Sequence, residues 1–322
     1  MEGPSPMTDG AALLAGGPDS LGALDIDCGA CGATVRVEPS LRTATCPYCD
    51  SPQVVERPAT RDRPPPTFVV GFALDRTRAE KELRSWLGHR WFLPGRVRRA
   101  TVDHTRGVYL PAWLYGAVAR ARFTAEIGED YQETETYTTT DAQGKTVTQT
   151  RTVTRTEWSH LQGAFDGYVL DVVVTASRGI PNHELQAVEP FDLRRILRYS
   201  PALISGWIAE EPTLDREACE ALARREGQED VARRIGAFLP GDHQRNARFN
   251  VDLTEEVSDL VLLPLWVFAL RHDPEEAPLR LLVNGQTGKV AGKVPRSALK
   301  ILGAVTTALA LLSALALVIS QC

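Results

Sequence analysis

The most regular hydrophobic pattern lies at the end of the chain. From Ile301 to Ile319 the sequence reads ILGAVTTALALLSALALVI, apolar on every side and without a charge. At ~1.5 Å per residue such a helix is roughly 28 Å long, close to the ~30 Å hydrocarbon core of a bilayer. The pattern therefore predicts a single transmembrane helix over 299–320, the alternative being a buried helix of a soluble core. Hydroxyls of Thr306, Thr307 and Ser313 would bond back to helix carbonyls. Lys289, Lys293, Arg296 and Lys300 precede the run, and only Ser320, Gln321 and Cys322 follow it. By the positive-inside rule this predicts a tail-anchored, single-pass protein of the inner (plasma) membrane, with the bulk of the chain cytoplasmic.

Helical spacing appears twice more. Ala79, Leu83, Trp86 and Leu87 make an apolar stripe over Arg76–Leu87, and Ala218, Leu222, Val231 and Ile235 make one over Arg216–Phe238. Asp75 and Asp215 stand at the N-cap positions. Three strings recur in the same order around these helices. Leu74-Asp-Arg and Leu214-Asp-Arg open them, and Phe92-Leu-Pro-Gly and Phe238-Leu-Pro-Gly close them. Leu110-Pro-Ala-Trp-Leu-Tyr and Leu263-Pro-Leu-Trp-Val-Phe then begin apolar strands. The repetition predicts an α+β fold over 67–298, a duplicated body with antiparallel strands and halves of about 68–180 and 190–295. Trp113 and Trp266 read as core residues rather than ligand-stacking ones.

Two hairpins are written between these elements. Tyr131–Trp158 holds eleven threonines between Thr134 and Thr156, with Asp141-Ala-Gln-Gly-Lys in the middle. A three-residue loop at 142–144 sets Thr134 opposite Thr152, Thr136 opposite Thr150 and Glu135 opposite Arg151. With both faces polar, this ribbon is expected to project, either as a partner-binding arm or as a solvated hairpin. Asn284-Gly-Gln-Thr-Gly-Lys reads as a second hairpin between Leu279–Val283 and Lys289–Ala291. It lacks the spacing of a phosphate loop.

Composition adds the remaining boundaries. The chain has 322 residues, 43% hydrophobic and 24% charged, with a net charge of −5. That balance suits a folded protein and does not provide the broad cationic surface of a general nucleic-acid binder. Residues 1–24, rich in Gly, Pro, Ser and Ala, read as a disordered leader. Residues 57–66, Arg-Pro-Ala-Thr-Arg-Asp-Arg-Pro-Pro-Pro, read as a stiff linker.

Between leader and linker lie Cys28-Gly-Ala-Cys31 and Cys46-Pro-Tyr-Cys49. Two C-x2-C pairs at this separation suit four thiolates around one tetrahedral Zn²⁺. Cys28, Cys31, Cys46 and Cys49 are thus the expected ligands of a zinc ribbon over 25–56. Gly32 supplies the positive φ that a knuckle needs. The alternatives are two disulfides or a redox dithiol. No open coordination position is implied, so the metal is expected to be structural, one per chain, and to supply the folding energy of a module too small for its own core. Cys219 and Cys322 fall outside this scheme, Cys219 reading as a buried small apolar residue.

Catalytic signals are sparse. His89, His104, His160, His183, His243 and His272 are scattered, with no H-E-x-x-H and no G-x-S-x-G, and His183-Glu184 reads as an exposed turn. The reading is of a non-enzyme. From Arg57 to Arg106 twelve Lys/Arg face five Asp/Glu, with Arg96, Arg98 and Arg99 close together. Such a stretch would suit phosphates, anionic lipid or plain solvent. The ribbon itself carries only Arg36 and Arg42 against Glu38.

Taken together, the C-x2-C pairs, the Leu-Pro-x-Trp strings, the Thr-rich hairpin, Val283-Asn-Gly-Gln-Thr-Gly-Lys-Val290 and the closing apolar helix resemble a family of bacterial membrane-anchored zinc-ribbon proteins. These are of the transcription-factor-IIB type, some bearing a primosomal-helicase label. The resemblance spans most of 25–320 and departs at the longer leader. It implies a membrane-anchored cytosolic adaptor or scaffold that binds a protein partner, in flotillin-like (SPFH) or phage-shock-type membrane-stress assemblies. The helicase label finds no Walker A loop here. The alternative function is a nucleic-acid-binding zinc ribbon tethered to the membrane.

Overall fold

The computed structural model describes residues 24–37, 46, 48, 54–58, 65–140, 146–273, 276 and 278–321. The chain begins with three short strands, β1 (Leu24–Cys28), β2 (Thr34–Val37) and β3 (Val54–Pro58), then β4 (Phe68–Val70). Helices α1 (Arg76–Gly88) and α2 (Gly95–Arg98) lead into two long strands, β5 (Thr101–Thr140) and β6 (Thr146–Thr175). Next come α3 (Asn182–Val188), β7 (Ile196–Arg198), β8 (Ile208–Glu210), α4 (Arg216–Phe238) and β9 (His243–Arg271). The end is β10 (Leu279–Asn284), β11 (Val290–Gly292) and α5 (Ala298–Gln321).

These strands join in one eleven-stranded mixed sheet. Most pairs are antiparallel, while β4 runs parallel to β9 and β5 parallel to β8. The expected α+β duplicated body is corrected accordingly, because the structure is mostly sheet. Nor do halves 68–180 and 190–295 form two bodies. The chain divides into one unit of 1–113, 175–216 and 259–322 and another of 114–174 and 217–258, so each takes residues from both expected halves. The cause is strand length: β5 has 40 residues, β6 30 and β9 29, and β5 and β9 each contribute to both units.

In the first unit α1 forms where its stripe predicts. The Asp75 side chain caps it by accepting the amide of Arg78 at 2.8 Å, satisfying one of the N-terminal amides that lack a helical partner. Ala79, Leu83 and Leu87 are buried with Trp266 and Phe268 of β9 and Leu281 and Val283 of β10. The indole of Trp266 donates to the Leu74 carbonyl at 3.0 Å, so it is core rather than a ligand platform. Trp113 is buried as well. Phe72 stacks on Trp207 with ring centroids 4.0 Å apart. The β10–β11 hairpin closes as expected: the Asn284 side chain accepts the amides of Gln286 and Thr287, and its own amide donates to the carbonyls of Val188 and Pro190. His183 and Glu184 lie on α3 rather than in a turn, and Glu184 pairs with Arg280 at 2.7 Å.

Part of the basic stretch is drawn into internal bonds. Arg84 donates to the Ala100 carbonyl, Arg98 to the Arg90 carbonyl, and Arg96 to Asp273.

In the second unit α4 buries Cys219, Ala223, Gly227, Val231 and Ile235, a stripe with helical spacing. The Tyr115 hydroxyl donates to Glu256 at 2.6 Å, and Arg224 grips the same carboxylate. Along β5 and β6 the expected register is present. Glu135 pairs with Arg151 and Tyr137 with Gln149, and Asp130 accepts the hydroxyl of Thr156. The loop 142–144 lies outside the described residues.

The transmembrane anchor is also corrected. Among the described residues no helix is long and apolar enough to cross a membrane. Side chains of α5 are described to Ser313. The start of the helix is tied to the first unit instead: the Ser297 amide donates to the Phe92 carbonyl at 2.7 Å and the Lys300 ammonium to the Leu93 carbonyl at 2.8 Å. The tail-anchored topology, the single C-terminal span and the inner-membrane location go with the anchor. The leader up to 23, most of the linker 57–66, and Cys322 lie outside the described residues.

Candidate metal centre

The first knuckle is built by the end of one strand and the start of the next. Cys28 is the last residue of β1, and its amide donates to the Ala33 carbonyl at 2.9 Å. Its carbonyl accepts the amide of Gly32, also at 2.9 Å. That tight turn needs the left-handed backbone of Gly32, at φ +76°, which a residue with a Cβ adopts at a cost. The turn brings Cys31 back toward Cys28.

Cys46 completes a cluster. The sulfur atoms of Cys28, Cys31 and Cys46 all lie within 4.8 Å of one another, and Cys31 Sγ is 3.6 Å from Cys46 Sγ. A tetrahedron with Zn–S bonds of ~2.3 Å has edges of roughly 3.8 Å, so this separation fits metal ligation and is far beyond a disulfide's ~2.05 Å. None of the three cysteines forms a disulfide. The Tyr48 amide points at Cys46 Sγ at 3.4 Å, the kind of N–H···S contact that stabilises a ligating thiolate. Three of the four expected ligands are therefore brought together and fit a thiophilic metal; Cys49 lies outside the described residues. Cys219 is buried on α4 in the second unit.

The ribbon does not stand apart from the rest of its unit. β2 pairs antiparallel with β8, Val35 opposite Glu210, and the Glu211 amide donates to the Thr34 carbonyl at 2.8 Å. Beside this seam the loop 177–180 packs on the knuckle. A Cβ on Gly179 would come within 2.7 Å of the Ala33 Cβ, so only glycine permits that approach. Ser177 donates its hydroxyl to Glu210 Oε1 and accepts the amides of Gly179 and Ile180. Arg280 donates to the Gly179 carbonyl at 2.8 Å.

Tyr48, Ser177 and Glu210 form a buried polar seam that the cysteine spacing does not announce. Glu210 is 2% exposed. Burial pushes its carboxyl up to about 8, against the lowering effect of the Ser177 hydrogen bond. Burial and the nearby Glu210 charge push the Tyr48 hydroxyl well above its ordinary value. The Tyr48 hydroxyl and Glu210 Oε2 are both buried without a hydrogen-bond partner among the described residues. The signal available in sequence was weak: a tyrosine inside the second C-x2-C, and the run Glu210-Glu211-Pro212.

No family profile matches the chain, and no solved structure matches it. A relative, "Uncharacterized protein YdjG" of Bacillus subtilis (strain 168), is 25% identical over 237 residues, 72% of this chain. The match spans 64% of that relative's length, just under two-thirds.

Proposed function

We propose that the chain is a zinc-ribbon adaptor, which holds one structural Zn²⁺ through Cys28, Cys31, Cys46 and Cys49 and works by binding a protein partner rather than by catalysis. The observation that carries this reading is the cluster of three sulfur atoms within 4.8 Å, set in a ribbon hydrogen-bonded to β8. When bound, the metal supplies cross-linking of the two knuckles and nothing more. The chain's own residues do the rest: Gly32 turns the first knuckle, the Tyr48 amide faces a sulfur, and β2 and Gly179 fasten the ribbon to its unit. A closed all-thiolate site offers no position for substrate. The resemblance of the sequence adds flotillin-like (SPFH) or phage-shock-type assemblies as the class of partner.

Elemental analysis of the purified chain tests the metal. One zinc per chain, lost in a Cys28→Ser/Cys31→Ser variant, is expected; a folded ribbon without metal rejects the assignment. Cross-linked pull-downs, run beside DNA binding across a salt series, test the adaptor role. Tight DNA binding with a steep salt slope would replace the adaptor with a nucleic-acid binder.

A further inference from the structure

One face of the second unit carries a gap in a row of side-chain pairs. Arg120, Arg122, Thr124 and Glu126 share a face of β5 by the two-residue strand period. At one end Arg120 approaches Asp166 of β6. At the other, Glu126 binds Arg245 of β9, and further along the same strand Asp130 binds Thr156 and His243. Between these pairs lies a groove of about 520 Å³, lined by Phe123, Gly163, Ala164 and Phe249 and by the polar side chains of five residues, Arg122, Thr124, Gln162, Arg248 and Asn250. None of these five side chains has a hydrogen bond or ion pair with any described residue. Two guanidinium groups, two carboxamides and a hydroxyl thus converge on one open space with their polar atoms unspent.

We propose that this groove docks a short extended peptide segment bearing carboxylates. The proposal deepens the adaptor reading and rests on it, by naming the chemistry of the partner. Arg122 and Arg248 offer planar donor forks that match carboxylates in bidentate geometry. Gln162 and Asn250 each present a donor and an acceptor, which suits the amide edges of an extended backbone. Asp166 and Glu126 flank the groove at either end. Each is already paired with its own arginine, so the charge left over is that of Arg122 and Arg248, enough for one or two isolated carboxylates, and the whole chain carries a net charge of −5. Charge complementarity thus favours an acidic peptide over nucleic acid.

The test uses the full chain and a fluorescently labelled peptide alternating Glu and Val, with anisotropy as the readout. A second peptide has every Glu replaced by Gln, and a single-stranded DNA oligonucleotide of similar length completes the set. The expected result is binding of the Glu peptide alone, weakened at least tenfold in Arg122→Gln/Arg248→Gln. Both arginines are exposed, so circular dichroism should match the parent. Arg122→Glu/Arg248→Glu should reverse the preference toward a Lys/Val peptide. Equal binding of the Gln peptide, indifference to the double variant, no binding of the Glu peptide, or tighter binding of the oligonucleotide each overturns the proposal. A Cys28→Ser/Cys31→Ser chain should keep its Glu-peptide affinity, so failure of the metal assignment and failure of the groove are read separately.

Discussion

Glu135 of β5 and Arg151 of β6 face one another across the long hairpin, Oε2 to Nη2 at 2.9 Å, and Arg155 reaches the same carboxylate. Hydrogen bonds from Arg151 and Arg155 hold the Glu135 carboxyl below its ordinary value. Hydrogen bonds from Thr156 and His243 do the same for Asp130, and bonds from Arg245 and Asn246 for Glu126. A folded-state value below the unfolded one means that folding favours the ionised form. The stabilisation is present above the ordinary carboxylate range and is lost as pH falls through the folded value. Amide protection along β5 and β6 should therefore drop as pH falls below about 4. Glu135→Gln should be less protected at neutral pH and show a shallower acid loss. An identical acid profile in that variant would remove the ion pair from the explanation.

The same two strands show what the sequence could and could not reveal. The Thr-rich ribbon was legible because its alternation is flanked by a turn and by opposite charges at matching positions. The segment before it was not. From Leu114 to Ile127 the buried positions are Tyr115, Ala117, Ala119, Ala121, Phe123, Ala125 and Ile127. They alternate as a strand must, yet alanine, arginine and glutamate favour helices, and their small or long side chains blur the two-residue period. β5 was therefore expected as separate pieces rather than as one strand of 40 residues. At the metal centre the clustering of Cys28, Cys31 and Cys46 was legible from spacing alone. The seam of Tyr48, Ser177 and Glu210 was not, because burial joins residues far apart in sequence. The terminal apolar run misled because hydropathy reads composition alone, whereas the start of α5 is tied to the first unit through Lys300, bound to the Leu93 carbonyl.

Removal of metal by a chelator should loosen the ribbon first and then its seam. The amides of Cys28 and Gly32, both bonded within the knuckle, should lose hydrogen-exchange protection together with β1 and β2. The Glu211 amide, bonded to Thr34, should follow. Leu83 on α1, buried with Trp266 and Phe268, should keep its protection. Unchanged exchange across 24–37 after chelation would mean that the ribbon stands without metal.

Glu210 separates the effect of charge from that of shape. With its carboxyl pushed up to about 8 by burial, it is mostly protonated at neutral pH, and glutamine is a close mimic. Glu210→Gln should change stability by less than about 1 kcal/mol, whereas Glu210→Ala leaves Ser177 without its acceptor and opens a cavity, costing about 2–4 kcal/mol. Urea unfolding of the two variants decides this, and equal losses would show that the carboxyl makes no specific contact.

Gly179 tests whether the ribbon is fastened by close approach. Alanine there must displace Ala33, since the two Cβ atoms would stand 2.7 Å apart, with Ser177 Oγ at 3.3 Å allowing little retreat. Gly179→Ala should cost about 1–3 kcal/mol by overpacking. Ala33→Gly alone also destabilises, by up to about 1 kcal/mol, through backbone entropy. Introduced together, the two changes remove the clash, so their combined cost should fall below the sum of the separate costs by more than about 1 kcal/mol. Additive costs would mean that the loop 177–180 moves away from the knuckle freely, and that the contact between Gly179 and Ala33 does not hold the ribbon in place.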